Sequence, residues 1–135
     1  GARIRFISVR DIAGAIAPSL PDSRVDMLIN IGASAEAVLA ATAIKCLGGD
    51  FQARLWPKNV DQKNMLEDMG LDINKKLTLE DLASGKDLTF TATGVVDGPL
   101  LKGVRYTADY CITHSVVMRV KTGTIRFLET HHKLS

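Results

Sequence analysis

A lone carboxylate just inside a helix, straight after a glycine turn, is the strongest chemical feature of this sequence. It lies in Asn30-Ile31-Gly32-Ala33-Ser34-Ala35-Glu36. In open α/β sheets, ligands gather at the carboxyl ends of strands, where helix N-termini offer free N–H groups and a dipole that favours anions. Gly32 is expected to make the tight turn and Ser34 the N-cap, so Glu36 falls at N2. A reciprocal capping box needs its acid at N3, which in this register is Ala37, so capping does not account for Glu36. The bland alternative is a carboxylate that complements the helix dipole, worth a few tenths to about 1 kcal/mol. The sharper one is a metal ligand beside a phosphate. A single glutamate cannot hold Mg²⁺ or Mn²⁺ in a catalytic geometry, so that reading requires further carboxylates, substrate oxygens or water.

Asp11, in Ser8-Val9-Arg10-Asp11, ends the first expected strand and could face the same crevice, or simply cap the helix that follows. Arg10 is either a phosphate partner or a solvated charge. Thr93-Gly94 and Asp97-Gly98 mark loops, where Asp97 reads as a turn residue before it reads as a ligand. His114 is expected half-buried in a strand with its ring satisfied, and His131 and His132 in a frayed polar tail. Cys46 and Cys111 show no CxxC or Cys/His ligand spacing, so neither a disulfide framework nor a zinc site is indicated. Walker A, GxGxxG, GxSxG and HExxH patterns are absent.

The elements that must position these residues follow from hydrophobic period. Residues 4–8 read as a strand and 11–20 as a short helix ended by Pro18 and Pro21. Residues 25–31 form an apolar run, Gly32 breaks it, and 34–47 is an Ala-rich helix stopped by Gly48-Gly49. A strand at 51–56 and a helix at 60–69 complete a β-α-β-α-β-α rhythm that predicts a largely parallel sheet. The second half is β-rich: a helical turn at 79–83, a strand at 88–93, and strands at 112–120 and 124–130 joined through Lys121-Thr122-Gly123. The fold class expected is α/β, a layered arrangement with a largely parallel sheet and a β-rich end.

The 135 residues suit one domain, and their 46% hydrophobic and 24% charged content is that of a globular protein. Seventeen basic against fifteen acidic residues, scattered along the chain, make nucleic acid an unexpected partner. No apolar run approaches the length of a membrane span, and no secretory leader is recognisable. Two free thiols fit a reducing compartment, either cytoplasm or, for a processed import product, an organelle matrix or stroma. A chain that opens with Gly1 directly into a strand reads as a piece of something longer or as a processed product.

Several collinear stretches together resemble the class II fructose-1,6-bisphosphatases, including the cyanobacterial type that also acts on sedoheptulose-1,7-bisphosphate. They are residues 31–41, Lys45-Cys46-Leu47-Gly48-Gly49-Asp50-Phe51-Gln52-Ala53-Arg54-Leu55, Ala92-Thr93-Gly94-Val95-Val96-Asp97-Gly98, Leu101-Lys102-Gly103-Val104-Arg105-Tyr106, and Thr113-His114-Ser115 through Gly123-Thr124-Ile125-Arg126. The resemblance implies that residues 1–135 are the C-terminal lobe of a longer phosphatase with the layered fold of lithium-sensitive sugar and inositol phosphatases. It implies Mg²⁺ or Mn²⁺ as cofactor, hydrolysis of the 1-phosphate of fructose-1,6-bisphosphate, and an N-terminal lobe or partner subunit that supplies most of the carboxylates. An oligomer or a larger complex is expected, because a missing lobe leaves apolar surface uncovered.

By the same resemblance, Glu36 corresponds to a metal-binding glutamate in the family's Gly-Gly-Ala-Pro-Glu-Gly loop, with Gly32 as its first glycine. Ala33 stands where the second glycine approaches the substrate, and its methyl adds bulk there. The family's sugar-binding Asp-Gly-Asp is Val9-Arg10-Asp11 here, so Asp11 is kept, one acceptor is lost and Arg10 adds a positive charge. Two functional expectations result: a phosphatase lobe active when completed, or a catalytically inactive family remnant with a structural role in an assembly. An anion-binding module without chemistry is a third.

Overall fold

The computed structural model describes residues 1–4, 6 and 12–135. Helix α1 (Ile12–Ile16) runs into a 3₁₀ turn (Ala17–Ser19), since Pro18 has no N–H to continue an α-helical ladder. The expected strand at 4–8 and the start of the first helix fall largely outside the described residues, as do Arg10 and Asp11. Helix α2 (Ser34–Leu47) has the extent the sequence predicts. Its stop is physical: Gly48 takes a left-handed φ of 75° while the Gly48 and Gly49 N–H groups bond back to the Lys45 and Ile44 carbonyls.

Strand β1 (Gln52–Ala53) precedes α3 (Val60–Asp68), whose Asn59 Oδ1 accepts from the Gln62 N–H at 2.8 Å. Next come β2 (Leu77–Thr78), α4 (Leu79–Leu82), β3 (Thr89–Thr93), β4 (Arg105–Tyr106), β5 (Tyr110–Arg119) and β6 (Thr124–Lys133). Strands β1 and β2 form a small antiparallel pair. β5 is the spine of a four-stranded antiparallel sheet, paired with β3 and β4 on one side and β6 on the other.

Mixed helices and sheets are present, but every pairing among the described strands is antiparallel, in place of the largely parallel order expected. The difference lies in residues 25–31, read as an interior strand, which make no ladder pairing among the described residues. Met27, Ile29 and Ile31 are 73, 87 and 58% exposed. A parallel strand needs cover on both faces, and nothing described in this chain supplies it.

The core forms where α1 and α2 lie on one face of the sheet. Ile16, Ala43, Cys46, Phe90, Val116 and Met118 are buried together, and the small side chains of α2 (Ala40, Ala41, Ala43) let the helix sit close. Register explains the sheet's contribution: Phe90 faces Met118, and Ala92 faces Val116. The next strand over breaks the pattern. Phe127 and Ile125 stand opposite Val116 and Met118 on the same face, yet are 63 and 41% exposed, so the helices cover β3 and β5 and leave β6 bare.

Candidate functional site

The turn into α2 is built one residue earlier than the sequence suggests. Ala33, extended at φ −74° and ψ 157°, is the N-cap, which makes Ser34 N1 and Glu36 N3. The expected N-cap at Ser34 is therefore corrected, and with it the inference that capping leaves Glu36 unexplained. Glu36 Oε2 accepts the Ala33 N–H at 2.8 Å, the reciprocal half of a capping box. Ala33 has no side-chain acceptor to return the bond, so the other half is missing. Among the described residues Oε1 has no hydrogen-bond partner, leaving one oxygen of Glu36 open.

Gly32 also differs from expectation. Its φ lies outside the left-handed region, and an added Cβ would meet only Glu36 Oε2, at 4.0 Å. Local backbone geometry does not require a glycine there. Asn30 Oδ1 accepts the Ile31 N–H at 2.7 Å just ahead of it. The structure thus brings Gly32, Ala33 and Glu36 together in one half-exposed turn. Arg10 and Asp11 lie outside the described residues, so their place beside it is not part of the geometry.

A divalent metal does not fit the described residues by themselves. They hold no group of three or more His, Cys, Asp or Glu side chains arranged around one ion, and Glu36 is a single carboxylate with one oxygen engaged at the cap.

The remaining candidates are placed by the second half of the chain. Asp97 is a turn residue, as read: its Oδ1 accepts the Gly103 N–H at 2.8 Å, while Gly98 closes the turn on the Leu101 carbonyl at 3.0 Å. Gly103 is there for space, because a Cβ would come within 2.7 Å of the Val96 backbone. His114 does lie in a strand, 14% exposed at the side chain, but only half its ring is met. Nε2 stands 3.4 Å from Glu129 Oε1, and Nδ1 is buried with no partner among the described residues.

His131 and His132 are not in a frayed tail. Both belong to β6, in register with Ile112 and Cys111, because ten residues of pairing with β5 carry the strand to Lys133. His131 Nε2 is 3.1 Å from Glu129 Oε2, and that bond, with its accompanying charge, holds the Glu129 carboxyl below the usual range. The His114–Glu129–His131 row was missed in sequence because His114 meets Glu129 only through the β5–β6 register. No helix among the described residues is long and apolar enough to cross a membrane.

The chain matches known proteins along nearly its whole length. It is 39% identical to the fructose-1,6-bisphosphatase class 2 of Haemophilus influenzae, across 99% of this chain and 44% of that protein. It is 35% identical to the D-fructose 1,6-bisphosphatase class 2/sedoheptulose 1,7-bisphosphatase of Gloeobacter violaceus, across 99% of this chain and 42% of the relative. With the protein of the same description from a Synechococcus species the identity is 34%, across 98 and 42%. The chain therefore spans less than half the length of these relatives. The model of the family described as bacterial fructose-1,6-bisphosphatase, glpX-encoded, matches residues 1–132, and the chain belongs to that family.

Proposed function

We propose that this chain is the C-terminal lobe of a class II fructose-bisphosphatase-like protein, hydrolysing the 1-phosphate of fructose-1,6-bisphosphate when an N-terminal lobe or partner subunit completes it. The observation that carries this reading is Glu36 at N3 of α2, with one oxygen capping the helix and the other open, in a chain matched to the family along nearly its whole length. A carboxylate held by its own helix start is already oriented, and can donate its second oxygen to Mg²⁺ or Mn²⁺ without rearranging the backbone. The other ligands come from the completing lobe.

Residues 25–31 support the same completion. Met27, Ile29 and Ile31 are exposed here, and in the layered sheet of the sugar and inositol phosphatases the segment would become an interior strand once the second lobe covers it. The compartment fitted by free Cys46 and Cys111 is a reducing one, cytoplasm or organelle matrix.

A second reading, an inactive family remnant acting as an interaction subunit, is favoured by one observation: Ala33 sets a methyl in the turn that leads to Glu36. Phosphate release from fructose-1,6-bisphosphate with Mn²⁺, measured on the intact assembly and on its Glu36→Gln variant, separates the two. Release by the parent and loss in the variant supports the phosphatase. No release from the intact assembly establishes the remnant.

A further inference from the structure

The antiparallel pair β1–β2 gathers cations and amides on one face, with no acid among them. Its register sets Gln52 against Thr78 and Ala53 against Leu77, and one step further on the same register sets Arg54 against Lys76. Residues directly opposite share a face and successive residues alternate, so Gln52 and Arg54 lie on the same side as Lys76 and Asn74. Exposure follows that alternation from Phe51 to Trp56, with Gln52 and Arg54 exposed and Ala53 and Leu55 partly covered. Gln52, Arg54, Asn74 and Lys76, together with Ala53, line one cleft of about 450 Å³.

Like charges facing one another across a strand pair are unfavourable. Protein surfaces intersperse the two signs, and this chain does so elsewhere: Lys45 meets Glu80, Lys75 meets Asp81, Arg105 meets Asp97 and Arg119 meets Asp87. The contrast is sharpest between neighbours. Lys75 Nζ is 3.2 Å from an Asp81 oxygen, whereas neither Lys76 nor Arg54 pairs with a carboxylate among the described residues. A single unpaired lysine is ordinary on a surface. Two unpaired cations converging on a cleft whose other polar side chains are amides call for an anion.

The donor set narrows which anion. A guanidinium presents a planar fork, an ammonium a point charge, and the Gln52 and Asn74 amides add NH₂ groups beside them. A carboxylate has two oxygens and is used up by the fork. A phosphate group has oxygens left for the ammonium and the amides, and carries the larger charge.

We propose that the cleft on the β1–β2 pair binds a phosphate group, with Arg54 and Lys76 supplying the charge and Gln52 and Asn74 the orientation. The cleft shares no residue with the α2 turn, so the proposal does not depend on Glu36 or on catalysis.

The test is made on the intact protein, with whatever further chain it carries, at constant ionic strength. Inorganic phosphate is titrated while heteronuclear NMR follows the backbone and side-chain amides of Gln52 and Asn74. Saturable shifts should appear there, with a midpoint raised about ten-fold or more in Arg54→Gln and in Lys76→Gln. Both changes fall at exposed positions, and circular dichroism checks that the fold is kept. Lys63→Gln removes an exposed cation from α3, outside the cleft, and should leave the midpoint where it was. A parallel titration with glucose 6-phosphate separates the sources: a lower midpoint than that of inorganic phosphate assigns the cleft to a phosphate ester, and any other result with saturable shifts assigns it to free phosphate. Two results would overturn the proposal. No saturable shift at Gln52 and Asn74 would mean that the rest of the protein already meets these cations, and an equal midpoint change in Lys63→Gln would reduce the effect to general screening.

Discussion

Replacing Glu36 by Gln and by Ala separates its two tasks. Gln retains an oxygen that can accept the Ala33 N–H, so it keeps the half capping box and loses only the charge at the helix start. The charge–dipole contribution is about 0.3–1 kcal/mol. Ala loses that and the hydrogen bond, which adds about 0.5–1.5 kcal/mol. For a domain of this size 1 kcal/mol corresponds to a Tm change of about 3–5 °C, so Glu36→Ala should lower Tm by roughly 2–12 °C and Glu36→Gln by roughly 1–5 °C, less than half as much.

Catalysis should not follow the same order. A ligand oxygen on a divalent metal must be anionic to neutralise it, so both variants should lose kcat/KM by about a hundred-fold or more, equivalent to about 2.7 kcal/mol of transition-state stabilisation. Circular dichroism melts and phosphate release on the intact assembly read the two quantities separately. Phosphate release in Glu36→Gln within about two-fold of the parent would refute the ligand role. Equal Tm losses in the two variants would refute the cap.

Three further outcomes follow from the packing. Lys45 Nζ donates to the Ala83 and Gly85 carbonyls at 2.9 Å and pairs with Glu80 at 2.7 Å, so Lys45→Met should cost about 1–3 kcal/mol in urea titration by leaving those carbonyls unmet. Gly103→Ala, whose Cβ would strike the Val96 backbone, should lose about 1–3 kcal/mol, whereas Gly98→Ala, with only the Leu101 carbonyl oxygen at 3.9 Å, should melt close to the parent. Asp81, Asp87 and Glu129 all have lowered carboxyl pKa values, through the Thr78 N–H, the Arg119 guanidinium and His131 respectively. Each is more acidic folded than unfolded, so its stabilisation is complete above the ordinary carboxylate pKa of about 4 and is lost as pH falls through the lowered folded value. Urea midpoints should fall below about pH 4, and less steeply in Asp81→Asn; a flat profile there would contradict these bonds.

What the sequence disclosed depended on whether the deciding interaction was local. The C-terminus of α2 was legible because glycine takes the left-handed stop at Gly48 without steric cost, and the β5–β6 hairpin because Gly123 takes φ 63° at its turn. The N-terminus of α2 was misread by one residue. Side-chain chemistry pointed to Ser34 as the cap, while the chain uses Ala33 and draws its capping bond from Glu36 instead. Residues 25–31 carry the composition of a buried strand, but what would bury them is not among the described residues, so apolar character did not translate into pairing. Cross-strand groupings such as His114 with Glu129 arise from register between segments, which no spacing along the chain reveals. Gly94 and Gly103, quoted from the sequence for their resemblance, proved to be packing requirements of one loop, with their Cβ positions filled by the Lys102 and Val96 backbones respectively.

Cys46 gives the hydrophobic core an internal chemical clock. Cys46 on α2 is 9% exposed and packed with Phe90, and burial raises its pKa, so in the closed state its thiol is both inaccessible and short of the thiolate that alkylating reagents attack. Reaction at Cys46 therefore requires α2 to part from the sheet, and its rate under slow labelling measures the free energy of that opening. Cys111, half-exposed on β5, reports reagent strength in the same molecule. A chain whose apolar segment at 25–31 becomes covered by a partner would show the coverage as slower labelling at Cys46, because the helix that must lift is the one this segment leads into.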